Sequence, residues 1–138
     1  MADRWGAVVK VSLWIGAGSA IGGTARFGID QLFIGMGLDW FPWGTLAVNA
    51  VGSWLIGLVA AITMFAERSA LPNHIQQFII GGFCGGFTTF SILSLETLQL
   101  FESYPHLAAA NILVTLLVCL LSVWSGYLQG KRLKDVLG

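Results

Sequence analysis

Four long apolar runs, separated by short polar or turn-rich stretches, organise the 138-residue chain. They lie at about Ala7–Phe33, Trp43–Phe65, Ile75–Phe101 and Leu107–Gly130. A bilayer core about 30 Å thick takes roughly 20 mostly apolar residues per helix. Each run therefore predicts a membrane-spanning helix, and together they predict one all-α, four-helix membrane domain over residues 1–138. The separators carry fitting punctuation: Gly35, Gly37, Asp39 and Pro42 in the first, Glu67, Arg68 and Pro72 in the second, Glu102 and Pro105 in the third. Each proline stands just before or at the start of a run, where its missing N–H costs nothing. Trp40, Trp43, Tyr104 and Tyr127 fall near the predicted interfaces, where amphipathic rings settle. Arg4 and Lys10 before an apolar stretch suggest a signal peptide, but the run outlasts the usual apolar region of about 7–15 residues. It is read as the first span.

The third run departs from a plain span. Gly81-Gly82-Phe83-Cys84-Gly85-Gly86-Phe87-Thr88-Thr89-Phe90-Ser91 places four glycines and three hydroxyls near the middle of the membrane. Glycine costs about 1 kcal/mol in a helix interior, so regular helix is weakened here. Two readings stand. Either the helix breaks and its freed carbonyls line a cavity or ligate a cation, or the glycines form seams, Gly81-xxx-Gly85 and Gly82-xxx-Gly86, against a neighbouring helix. Spacing does not choose between them. Span one carries its own run, Gly16-Ala17-Gly18-Ser19-Ala20-Ile21-Gly22, loosely like a dinucleotide-binding turn. That motif needs a βαβ unit, and its apolar run is too long for a strand. Helix packing is the reading adopted.

Composition narrows the function classes. Soluble domains carry about 25% charged residues, whereas this chain has 10%, with seven basic and seven acidic side chains. It cannot cover its surface with ions, and it has no basic block for nucleic acid. Cys84 and Cys119 lie in apolar runs without metal-ligand spacing. No nucleophile–base pair with a triad partner is evident, so an enzyme is not expected. Charges inside a membrane are costly and functional by default. Two are read as such, Arg26 late in span one and Glu96 in span three, with a mutual ion pair or snorkelling of Arg26 as the plain alternative. Asn49, early in span two, offers two amide donors to a small anion or to a neighbouring carbonyl. Ser91, Ser94, Thr115 and Ser122 suggest a hydroxyl track, although each hydroxyl alone suits a bond to its own helix. His74 and His106 flank spans and do not suggest a haem. Phe83, Phe87 and Phe90 either pack or turn a positive ring edge to an anion.

The run Gly82-Phe83-Cys84-Gly85-Gly86-Phe87-Thr88-Thr89-Phe90-Ser91, with Glu96 beyond it, resembles the signature of the Fluc/CrcB fluoride channels. Gly22-Gly23-Thr24-Ala25-Arg26 and Gly44-Thr45-Leu46-Ala47-Val48-Asn49 agree with it, so the likeness covers essentially the whole chain. The resemblance implies a passive, fluoride-selective channel in the cell's plasma (inner) membrane that lets cytoplasmic fluoride leave. It implies an antiparallel dimer with two pores. At the dimer centre a structural Na+ would be held by main-chain carbonyls of Gly85 and Thr88 from each subunit. The pore positions it implies are Asn49, Phe90, Ser91, Leu93, Ser94, Glu96 and Thr115, with Arg26 in a vestibule as an attractor. Asn49 would donate to fluoride and Phe90 would offer its ring edge.

Three departures qualify the likeness. The family's second phenylalanine, three residues after the first, is Leu93 here, and a common threonine is Ile92; weaker conduction is expected from this pair. Cys119 stands where a serine is common. Arg4, Lys10, Arg68, Lys131, Arg132 and Lys134 all fall on one side of a four-span topology, which favours both termini inside. A dual-topology homodimer, the favoured reading, should show little bias, and a heterodimer would accommodate it. Two other functions compete. A small proton-coupled multidrug or guanidinium exporter would place its essential glutamate in span one, whereas Glu96 lies in span three. A membrane scaffold would explain the glycines but not the clustering of Asn49, Glu96 and hydroxyls at depth.

Overall fold

The computed structural model describes residues 2–64 and 71–137. They form helices joined by short turns, with no strand among them: α1 (Ala2–Gly35), α2 (Trp43–Met64), α3 (Asn73–Gln77), a π-helical segment (Phe78–Cys84), α4 (Gly85–Phe87), α5 (Ser91–Ser103) and α6 (Pro105–Leu137). Four stretches are long and apolar enough to cross a membrane, namely Trp5–Gly35, Trp43–Thr63, Asn73–Ser103 and Pro105–Leu133. The chain is thus a four-span, all-α membrane protein, as the apolar runs predict. The helices overrun the apolar runs at both ends of α1 and α6, because a helix need not stop where the lipid does. Pro72 and Pro105 take their expected places at helix starts. Gly37, at φ 72°, makes the left-handed turn between α1 and α2, a conformation costly for any other residue. Phe65, Glu67 and Arg68 lie outside the described residues, as do the side chains of Arg4 and Lys134.

Glycine lets helices touch in two places. Along α2 and α6, a Cβ on Gly130 would come within 2.6 Å of the Leu58 carbonyl oxygen, and Gly57 and Gly126 lie equally close to the opposite backbone. Along α1, Gly18 and Gly22 face Gly82 and Gly86. A Cβ on Gly18 would lie 2.5 Å from the Phe78 carbonyl oxygen, and one on Gly82 would lie 2.8 Å from that of Ile15. This is close packing of the small-residue kind, which works in lipid because it brings backbones into van der Waals contact.

The third span changes partners at its centre. Its first half, from α3 through α4, packs on α1 and touches α2; its second half, α5, packs on α6. Between the halves the helix ends: Thr88 is extended (φ −82°, ψ 157°) and regular helix resumes at Ser91. The predicted interruption of span three is present. The glycine run resolves into both open readings, since Gly82 and Gly86 are the seam on α1 while Gly85 is exposed and unhindered.

Adding one methyl at the seam should therefore separate two neighbouring glycines. Gly82→Ala is expected to lower stability by about 1–3 kcal/mol through overpacking. Gly81→Ala, whose Cβ meets nothing nearer than the Gln77 side chain at 3.4 Å, should be neutral or better. Thermal unfolding of the two purified variants in detergent checks this, and equal losses would contradict the seam.

Candidate ion pathway at the helix break

Interrupting a helix frees backbone groups that lipid cannot satisfy. Here side chains from the other helices take them up. The Asn49 amide lies beside Thr89 and bonds it twice: Nδ2 donates to the Thr89 carbonyl oxygen at 3.0 Å, and Oδ1 accepts the Thr89 N–H at 2.7 Å. Arg26 Nε donates to the Gly86 carbonyl oxygen at 3.3 Å, and Ser19 Oγ to that of Gly82 at 3.2 Å. Both the N–H and the hydroxyl of Thr88 donate to the Cys84 carbonyl oxygen. The Thr89 hydroxyl accepts the Ile92 N–H at 3.2 Å and so caps α5. The arrangement releases the Gly85 carbonyl from its helical partner. The Thr89 N–H would meet the Gly85 carbonyl in a continuous α-helix, and Asn49 has taken it.

A cleft of about 360 Å³ opens beside the break, lined by Asn49, Ser53, Thr88, Thr89, Phe90, Leu93, Thr115 and Cys119 among others. It brings together five of the residues singled out from the sequence: Asn49, Thr88, Phe90, Leu93 and Thr115. The Phe90 ring is 80% exposed, whereas Phe83 and Phe87 stack on each other with centroids 5.2 Å apart, as packing residues do. Thr115 is 3% exposed and its hydroxyl has no hydrogen-bond partner among the described residues. Leaving such a group unpaired costs about 1–3 kcal/mol, so its retention calls for a reason. Ser91 and Ser94 are exposed: Ser91 Oγ lies 3.3 Å from Thr89 Oγ1, and Ser94 Oγ donates to the Phe90 carbonyl oxygen. Ser122 lines a separate, apolar groove between α2 and α6, so the hydroxyl track does not run through it.

Glu96 lies beside the start of α2. Its Oε1 accepts from the Thr45 hydroxyl at 2.9 Å, while Oε2 is buried without a hydrogen-bond partner among the described residues. Thr45 stands one turn before Asn49, so the two present polar groups along one face of α2. Glu96 also borders a cavity of about 400 Å³, lined by Asp30, Asp39, Trp40, Trp43 and Tyr104 among others. Arg26 does not line that cavity; its guanidinium is held at the break.

Several contributors escape a reading of the sequence. Asp30, four residues after Arg26 on α1, is a further charged residue besides Arg26 and Glu96. It fits under Gly44, where a Cβ would come within 2.6 Å of its Oδ1, and it interacts electrostatically with Glu96. Its spacing of four residues from Arg26 was the available signal. Asn111 is fully buried and donates from Nδ2 to Thr97 Oγ1 at 2.9 Å, and Thr97 Oγ1 in turn donates to the Leu93 carbonyl oxygen at 2.7 Å. This relay ties α5 to α6 behind Leu93. Among the described residues no group of three His, Cys, Asp or Glu side chains is placed to hold a metal.

The double bond from Asn49 should be the main support of the break. Replacing Asn49 by Ala leaves the Thr89 N–H and carbonyl unpaired, at about 1–3 kcal/mol for each. Amide exchange read by mass spectrometry should show faster exchange over residues 88–92 in Asn49→Ala, with α6 protection retained. Unchanged exchange at the break would contradict the role.

Comparison with known proteins agrees with this geometry. Residues 13–127 match the family described as CrcB-like protein, Camphor Resistance (CrcB). A Rhodopseudomonas palustris protein, "Fluoride-specific ion channel FluC 1", is 46% identical over 127 residues, 90% of this chain and 89% of its own. A Rhodospirillum rubrum protein, "Fluoride-specific ion channel FluC", is 42% identical over 116 residues, 83% of this chain and 90% of its own. A Bradyrhizobium diazoefficiens protein, "Fluoride-specific ion channel FluC 1", is 40% identical over 136 residues, 95% of this chain and 91% of its own. With a match over most of its length and relatives of this similarity, the chain belongs to the CrcB family.

Proposed function

We propose that the chain is a fluoride-selective channel through which cytoplasmic fluoride leaves passively. The observation that carries the reading is the cleft at the break, where an amide, an unpartnered buried hydroxyl and an exposed aromatic ring meet. Asn49 spends one Nδ2 hydrogen on Thr89 and keeps the second. The Thr115 hydroxyl is a ready donor, and the edge of Phe90 carries partial positive charge. Fluoride gives up its water only to strong, close donors, so a narrow wall of this kind favours it over larger halides. Ser91 and Ser94 extend the exposed polar surface along α5, Glu96 would serve the path from its place beside Thr45, and Arg26 adds positive charge beside the break.

The functional unit in this reading is an antiparallel dimer, which would cover the exposed Phe90 and Gly85; a heterodimer remains the alternative, given the one-sided Lys and Arg residues. A hard cation such as Na+ fits the break on one observation: the Gly85 carbonyl has lost its helical donor to Asn49, and the face of Gly85 is open. Gly85 and Thr88 would hold it through main-chain oxygens, with the same pair from a second subunit. The ion would neutralise carbonyls that neither helix half satisfies.

A proton-coupled exporter keeps one specific observation in its favour. Asp30 and Glu96 face an aromatic-lined cavity, the chemistry an organic cation would need. The names of the relatives and the donors of the cleft favour fluoride.

Purified protein in liposomes loaded with potassium fluoride, with valinomycin present, should release fluoride and retain chloride. Release that collapses with the pH gradient would favour the exporter. Leu93→Phe should raise the rate, since a second ring edge enters the cleft wall; a rate equal to the parent's would remove Leu93 as the weak point. Exchange of Na+ for N-methylglucamine during purification should lower the dimer's thermal stability, and no change would argue against the cation.

A further inference from the structure

The fold treats the two thiols oppositely. Cys84 is fully buried at the end of the π-helical segment. Cys119 is half-buried and lines the cleft with Asn49, Phe90 and Thr115. It follows Thr115 by four residues on α6, so the two side chains share one face of the helix. Thr115 is the independent sign of a ligand site: it is 3% exposed, lines the same cleft, and its hydroxyl has no hydrogen-bond partner among the described residues. The wall therefore offers a partly exposed soft sulfur beside an unpartnered hydroxyl.

We propose that Cys119 is a binding site for thiophilic metal cations, and that an ion bound there closes the cleft to fluoride. The second half of this inference rests on reading the cleft as the fluoride path. Thiolate sulfur selects soft metals over the hard cations that carbonyl oxygens take. With methylmercury the step is R–SH + CH3Hg+ → R–S–HgCH3 + H+. The S–H bond breaks, a sulfur–mercury bond forms, the proton goes to water, and nothing is oxidised or reduced. Methylmercury needs only one protein ligand because its methyl carbon fills the opposite position, which suits a single cysteine. Cys84 is fully buried, so the site belongs to Cys119 alone.

The test uses methylmercury on the purified full chain, read in two ways. Intact-mass spectrometry should find one adduct per chain in the parent and in Cys84→Ser, and none in Cys119→Ser. Fluoride release from liposomes, each variant compared with its own untreated rate, should be lost in the parent and in Cys84→Ser and restored by dithiothreitol. Release by Cys119→Ser should ignore the reagent; Cys119→Ala provides the same comparison if the serine variant does not fold. An adduct on Cys84, or none on Cys119, overturns the site. An adduct on Cys119 with undiminished release overturns the block. If untreated parent releases no fluoride, the channel reading fails, and the adduct count still decides the site.

Discussion

A helix that stops inside lipid must find new partners for its freed backbone groups, and in this chain that need falls mainly on one side chain. Asn49 replaces two backbone partners at once by donating to and accepting from Thr89. Its planar amide imitates the peptide group that the missing helical turn would have supplied. Arg26 and Ser19 add donors from α1, and the Thr89 hydroxyl starts the next helix. Because these groups are satisfied, the chain can leave Thr88 extended and the Gly85 carbonyl without its helical donor. The polar surface of the cleft follows from that freedom.

The interruption also reorganises the packing. Glycines on α1 and on the first half of span three bring their backbones close, while the second half leans on α6 through the Thr97–Asn111 bond. A continuous third helix would have to follow one neighbour along its whole length. Divided, it satisfies two, and the gap between its halves is where Phe90, Leu93 and Thr115 meet.

The spans were legible because about 20 apolar residues in a row have few other stable fates. The break was half legible: glycine propensity announced it, but the same glycines serve packing, and only the position of α1 distinguishes Gly82 from Gly85. Asn49 was found as an intramembrane amide, yet its bond to Thr89 joins residues forty positions apart and has no local signature. Asp30 was missed because it lies near the end of span one, where a carboxylate passes for an interfacial residue; its fit beneath Gly44 depends on the turn after α1. Asn111 sat unremarked in an apolar run, although an amide with no exposed surface needs a partner as surely as Asn49 does. The family signature led to Phe90, Ser91 and Glu96 together, but Glu96 keeps company with Thr45 and Asp30 near another cavity.

The change of partners in span three also sets an order of assembly. Its halves, Asn73–Phe87 and Ser91–Ser103, are each shorter than the roughly 20 residues that cross a bilayer. Neither is a stable insertion unit alone, so the span must enter the membrane whole. Chains are made from the N-terminus, and Ser19, Arg26 and Asn49 all precede the break. Every donor the break borrows from another helix has therefore been synthesised before Thr88 emerges. Only the second half must wait, since α6 is made last. The sequence order thus lets the interruption dock on finished neighbours, and leaves the second half of the span, with Glu96 and Thr97, to be closed by the final helix.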